Sequence, residues 1–156
     1  MFTNEIVAYM RKQPGFLGVF ALDQLPLKIH QQASLIDNSD PHWLPGKHWF
    51  AFSLYPESGK MIYFDSFARP PNKQMIFSLM RQWRLEWIEL SPYPIQLLNR
   101  DFTDTTGECG EFCIYILHHL SRYADNIDLL IRQEFSETDY FFNKHKVRKY
   151  IKDFKI

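Results

Sequence analysis

Two short, mostly apolar runs in the middle of the chain, residues 48–54 and 60–65, read as its two clearest strands. Between them, Tyr55-Pro56-Glu57-Ser58-Gly59 has the chemistry of a hairpin turn, and Asp65 is expected to close the second strand. Alternation along the first strand puts His48 on one face with Phe50 and Phe52, and Trp49 on the other. Residues 16–21 form a short apolar element ahead of the turn-like Asp23-Gln24-Leu25-Pro26. Residues 33–36 read as a strand that stops at Asp37-Asn38-Ser39-Asp40-Pro41, and Trp87–Leu90 as another, broken by Ser91-Pro92-Tyr93-Pro94.

Helical spacing appears elsewhere. Residues 3–13 carry Ile6, Val7, Tyr9 and Met10 on one side and end at Pro14-Gly15. Residues 73–84 follow the Arg69-Pro70-Pro71-Asn72 break and place Met75, Ile76, Leu79, Met80 and Trp83 together. A further helix is expected from Cys109 to about Arg122, and others over 126–135 and 139–154. Strands in the middle, bracketed by helices, predict an α+β domain. No repeat or low-complexity tract interrupts it, so residues 1–156 are read as one domain with a substantial core.

Composition narrows the function classes. Eighteen Lys+Arg balance 18 Asp+Glu, so no global field draws the chain to nucleic acid or an anionic membrane. Aromatic residues make up 17%, enough for a well-filled interior and some aromatic surface of the kind that lines peptide grooves. Nothing approaches a membrane-spanning run, and the N-terminus lacks a basic flank and an apolar signal core, so a protein that is neither secreted nor membrane-bound is expected. The two cysteines, Cys109 and Cys113, are four apart on one expected helix, where the backbone disfavours a disulfide, which points to a reducing compartment.

The chemistry concentrates at Cys109. It lies in Thr105-Thr106-Gly107-Glu108-Cys109-Gly110-Glu111-Phe112-Cys113, a glycine-bracketed turn that opens into an apolar helix, so its thiol falls in the first turn. Unpaired backbone N–H groups and the positive end of the helix dipole there favour a thiolate. A thiolate nucleophile needs a base and later an acid, and one imidazole serves for both. His48 is the candidate among six histidines, with Gly46 giving backbone freedom before it. Asp65, at the end of the neighbouring strand, is placed to accept from the second ring nitrogen and fix the tautomer. Asp37 and Asp40 are rivals for that role in a turn-rich segment. His42, His118 and His119 do not form the paired ligand spacing of a zinc site with the cysteines, so neither a metal nor another cofactor is expected.

Gly46-Lys47-His48-Trp49, Tyr63-Phe64-Asp65-Ser66-Phe67 and Glu108-Cys109-Gly110-Glu111-Phe112-Cys113, in that order, resemble the adenovirus-type (adenain-like) cysteine proteases. The likeness is greatest to the versions in virophages, other eukaryotic DNA viruses and Maverick/Polinton elements. Gly18-Val19-Phe20-Ala21-Leu22-Asp23-Gln24-Leu25-Pro26 and Ile36-Asp37-Asn38-Ser39-Asp40 look like the opening segment of the same proteases. The resemblance covers about residues 15–123. It implies a papain-like α+β fold related to the ubiquitin-like-protein proteases, with a small mixed sheet against helices and the nucleophile at a helix N-terminus. It also implies a Cys109-His48-Asp65 triad, Trp49 as a substrate-binding residue over a narrow channel, and cleavage at glycine-containing sites.

The family usually carries an oxyanion-hole glutamine about six or seven residues before the nucleophile, where this chain has Thr103 and Phe102. Candidates for the missing donor are Gln96, Asn99, Arg100 and the Thr103 hydroxyl, with the Cys109 backbone N–H as the other donor. The resemblance further implies cleavage of viral structural (capsid) precursors during virion maturation, in the virion and the host nucleus or a cytoplasmic virus factory, by a monomer. With no cysteine outside the catalytic helix, a disulfide-linked activating peptide is not expected. The basic stretch Lys144-His145-Lys146-Val147-Arg148-Lys149-Tyr150-Ile151-Lys152 is the segment that would contact DNA, against the reading of a solvated helix face. Deconjugation of ubiquitin-like modifiers, and an inactive peptide-binding module, are the alternatives.

Overall fold

The computed structural model describes residues 1–39, 43, 48–91 and 108–156. Its centre is a five-stranded mixed sheet in the order β1 (Phe16–Phe20), β2 (Ala33–Asn38), β3 (Trp49–Tyr55), β4 (Lys60–Phe64) and β5 (Trp87–Leu90). The two outer pairings, β1 with β2 and β4 with β5, are parallel, and the two inner pairings are antiparallel. Gly59 takes φ +69 in the β3–β4 hairpin, a conformation that favours glycine, and its amide donates to the Pro56 carbonyl.

The alternation in β3 and β4 divides two cores. Trp49, Ala51, Ile62 and Phe64 face α3 (Cys109–His119), which is backed by α1 (Thr3–Met10), α4 (Ile127–Glu134) and α5 (Tyr140–Asp153). Phe50, Phe52, Leu54, Met61 and Tyr63 face α2 (Lys73–Gln82), which contributes Ile76, Leu79 and Met80, with Trp83 just beyond its end. Phe64 and Phe112 are fully buried, and each such side chain contributes about 1.5–3 kcal/mol through apolar burial. The α+β class expected from the pattern is therefore the observed one, with α3 against one face of a small mixed sheet.

Side-chain caps start three of the helices. Asn72, Asn126 and Asp139 each accept a hydrogen bond from the backbone N–H three residues on, which fixes the starts of α2, α4 and α5. The helix expected over 3–13 ends at Met10, and the one expected to reach Arg122 tightens after His119 into a 3₁₀ turn, Leu120–Tyr123, closed by Ala124 at φ 51.

One expectation is overturned. The strand read over 33–36 runs on through Asp37 and Asn38, although these residues resemble turn formers. Central position explains it: Asp37 pairs with Phe20 on one side and Phe50 on the other, and two ladders outweigh local turn preference. Asp37 is thus a fully buried strand residue instead of part of a turn. Among the described residues, no helix is long and apolar enough to cross a membrane.

Candidate active site

The ladder between β2 and β3 extends one step beyond β3, with Ser39 N–H donating to the His48 carbonyl at 2.9 Å. This pins the backbone of His48 at the end of the sheet. On the next strand, β4 stops at Phe64 and the chain turns through Asp65-Ser66-Phe67-Ala68. The Asp65 carbonyl accepts from the Ala68 N–H, and its Oδ1 accepts from the Phe67 N–H at 2.8 Å. A carboxylate that bonds its own backbone two residues on is a common turn device, and here it sets the direction of the side chain. Ala68 completes the turn at φ 52.

Those two strand ends bring the imidazole and the carboxylate together. His48 Nε2 donates to Asp65 Oδ1 at 2.7 Å, with His48 7% exposed and Asp65 3%. Phe67 lies against the imidazole, ring centroids 4.8 Å apart, and Arg69 covers the other part of Phe67 at 5.0 Å. The second ring nitrogen, Nδ1, is buried and makes no well-formed hydrogen bond. Burial alone would pull the proton affinity of His48 down. The hydrogen bond to Asp65, and the influence of Asp65 and Cys109 as negative partners, overcome it and lift the pKa to about 9.

Cys109 opens α3 and is 8% exposed, while Cys113 one turn on has no exposure. Both are free thiols. Burial, joined by the charges of Cys109, Asp65 and Glu111, raises the Cys113 pKa well above its ordinary value, so this second thiol is held protonated and inert. Glu108 precedes the helix, its carbonyl accepting from the Phe112 N–H at 2.9 Å. A first-turn backbone N–H, such as that of Cys109, has no acceptor within the helix and is the type of donor an oxyanion hole uses.

Gly110 is small for a packing reason. A Cβ there would lie 3.3 Å from Met1 Cβ and Sδ and 3.4 Å from Trp49 Cδ1. Trp49 itself is 7% exposed, stands in the core with Cys109 and donates its indole N–H to the Met1 carbonyl at 3.3 Å. In this conformation it packs the base of the site.

The rivals and the further expected residues are placed as follows. Among the described residues no well-formed hydrogen bond reaches either Asp37 carboxylate oxygen, and burial pushes its pKa up to about 8 against a weaker lowering by the nearby Asn38 amide. The histidine is bonded to Asp65 instead. Asp40, His42, Gly46, Lys47, Gln96, Asn99, Arg100, Phe102, Thr103 and Gly107 lie outside the described residues. His118 is bonded to the Tyr150 hydroxyl at 2.8 Å, and His119 Nδ1 donates to the Tyr115 carbonyl at 2.7 Å. Both are structural groups of the α3–α5 packing, and burial lowers the pKa of each.

The basic C-terminal stretch is largely engaged within the molecule. Lys146 pairs with Glu134, Lys149 with Asp153, and Lys144 and Arg148 both with Glu108. Sequence reasoning missed the pairs that join α5 to Glu108, the residue preceding Cys109. No local signal announces them, because the partners are far apart in the chain.

No family model and no curated protein matches the chain. Among solved structures it is similar to the SUMO protease Ulp1 with its catalytic cysteine oxidised to a sulfinic acid. The TM-score is 0.46 at 13% identity, with 97% of this chain and 78% of that chain covered.

Proposed function

We propose that the protein is a cysteine peptidase in which Cys109 is the nucleophile, His48 the base and then the acid, and Asp65 the group that orients His48. The observation that carries the reading is the buried 2.7 Å hydrogen bond from His48 to Asp65, with the thiol of a helix-opening cysteine acting on the same imidazole.

The chemistry follows from the geometry. The imidazolium and thiolate form an ion pair, and the sulfur attacks the carbonyl carbon of a peptide bond. The oxyanion is met by the Cys109 backbone N–H and a second donor, for which Gln96, Asn99 and Thr103 stand as candidates. As the C–N bond breaks, His48 gives its proton to the departing amine, leaving an acyl-enzyme. His48 then takes a proton from water, whose oxygen displaces the sulfur and releases the acid. Asp65 holds the ring in one tautomer and stabilises its charge through the cycle.

For the substrate, the proposal is a protein cleaved after a glycine-containing sequence. The intact precursor of a ubiquitin-like modifier and a viral structural precursor both present such sites, and the same assay separates them. Purified protein is incubated with a panel of both, and products are read by intact mass. Cleavage of one precursor, absent in Cys109→Ala, assigns the substrate class. A panel left intact, with glycine-containing peptides also uncut, contradicts the peptidase reading.

A further inference from the structure

Glu108 stands immediately before the nucleophile, and its side chain is only 6% exposed. A buried carboxylate needs a compensating charge, since desolvation without one costs several kcal/mol. It also sits against the positive end of α3, where it competes with a thiolate for the same backbone dipole. Two cations from the far end of the chain meet it. Arg148 makes an ion pair with Glu108 Oε1, and Lys144, one turn earlier on α5, has its Nζ 3.7 Å from the same oxygen. Lys144 is itself 9% exposed, so this pair is inside the molecule, and Arg148 covers it from the surface.

We propose that Arg148, seconded by Lys144, is a positioning residue for Cys109. Arg148 neutralises Glu108, leaves the helix-terminal field to the thiolate, and ties the start of α3 to α5. The inference rests on the reading of Cys109 as nucleophile. Among the described residues, the charged and titratable groups around that helix start are Glu108, Glu111 and Cys113 on its own segment, His48 and Asp65 from the sheet, Lys144 and Arg148 from α5, and the Met1 amino group, which acts on Glu111. Burial raises the Glu111 pKa, and it is Glu108 that the two α5 cations meet.

The test is the pH profile of Cys109 alkylation by iodoacetamide, followed by peptide mapping so that Cys113 is scored separately. Arg148→Gln changes a half-exposed side chain and is expected to fold. It should slow alkylation at pH 7 by about threefold and move the profile to higher pH, the size expected of a charge at a helix end. Arg148→Lys should keep most of the wild-type rate. Adding Glu108→Gln to Arg148→Gln should return the profile toward wild type, because the charge that Arg148 no longer offsets is gone. A merely structural role would lower the melting temperature of Arg148→Gln without moving the profile of the folded protein. Superimposable profiles for wild type and Arg148→Gln, or a double variant as slow as the single one, would overturn the proposal. Since alkylation is read without any substrate, a shifted profile in a protein that cuts no peptide would sink the peptidase reading and leave the role of Arg148 standing.

Discussion

His48 and Asp65 are joined by a 2.7 Å hydrogen bond between two strand ends that are both nearly closed to water. This bond does more than orient a ring. It helps hold the imidazole protonated up to about pH 9, against a burial effect that acts in the opposite direction. The folded pKa lies above the unfolded value of 6.5, so the associated stability is fully present below about pH 6.5 and is lost as pH rises through about 9. Asp65→Asn removes the leading cause of the rise. Its peptidase kcat should fall on the order of 100-fold or more, with the alkaline limb of the pH–rate profile moved to lower pH. Steady-state kinetics across pH 6–10 check both, and an unmoved alkaline limb would separate Asp65 from His48 ionisation.

Asp37 shows the same direction of pH dependence, here with burial as the cause. Its folded pKa, about 8, exceeds the ordinary 3.8, so the folded state retains a proton that the unfolded chain gives up. Stability is therefore greatest below about pH 3.8 and declines as pH climbs toward 8. Asp37→Asn keeps the shape and removes the ionisation. It should raise stability at pH 8 on the order of 1–3 kcal/mol, and the gain should vanish near pH 4. Thermal melts at the two pH values measure this, and an equal effect at both would contradict a buried, proton-bearing carboxyl.

Glu134 ties α4 to α3 and α5. It accepts from the hydroxyls of Tyr115 and Tyr123 and from Lys146 Nζ. Burial raises its pKa, but the hydrogen bonds from Lys146, Tyr123 and Tyr115 outweigh it and hold the carboxyl down to about 2. The stabilisation is present above the ordinary value of 4.5 and is lost as pH falls through about 2. Glu134→Gln should cost on the order of 1–3 kcal/mol in urea unfolding at pH 7. It should leave Cys109 alkylation in the folded protein unchanged, since Glu134 bonds Tyr115, Tyr123 and Lys146 and none of His48, Asp65 or Glu108.

The strands and the hairpin were legible because β3 and β4 each bury both faces against different helices, so their aromatic and β-branched residues follow the pleat closely. The start of α3 was legible for a similar reason, a glycine-flanked turn leading into an unbroken apolar run. Asp37 and Asn38 misled because local turn chemistry competes with two backbone ladders, and only the tertiary arrangement shows that the ladders win. The C-terminal cations misled in the same way. As a charge run they suggest a solvated face or a phosphate contact, yet Lys144 and Arg148 answer Glu108, some 36 to 40 residues upstream. The packing of Trp49 against Gly110 and its bond to the Met1 carbonyl were not legible in the sequence, because they depend on the distant N-terminal segment.

The proposed chemistry rests on Cys109 being a nucleophile activated by His48. Intact-mass labelling with a peptide electrophile ending in Gly-Gly tests it most directly, applied to wild type and to Cys109→Ala, His48→Ala and Cys113→Ala. One adduct is expected on wild type and on Cys113→Ala, and none on the other two. An adduct that survives His48→Ala, or disappears in Cys113→Ala, would contradict it.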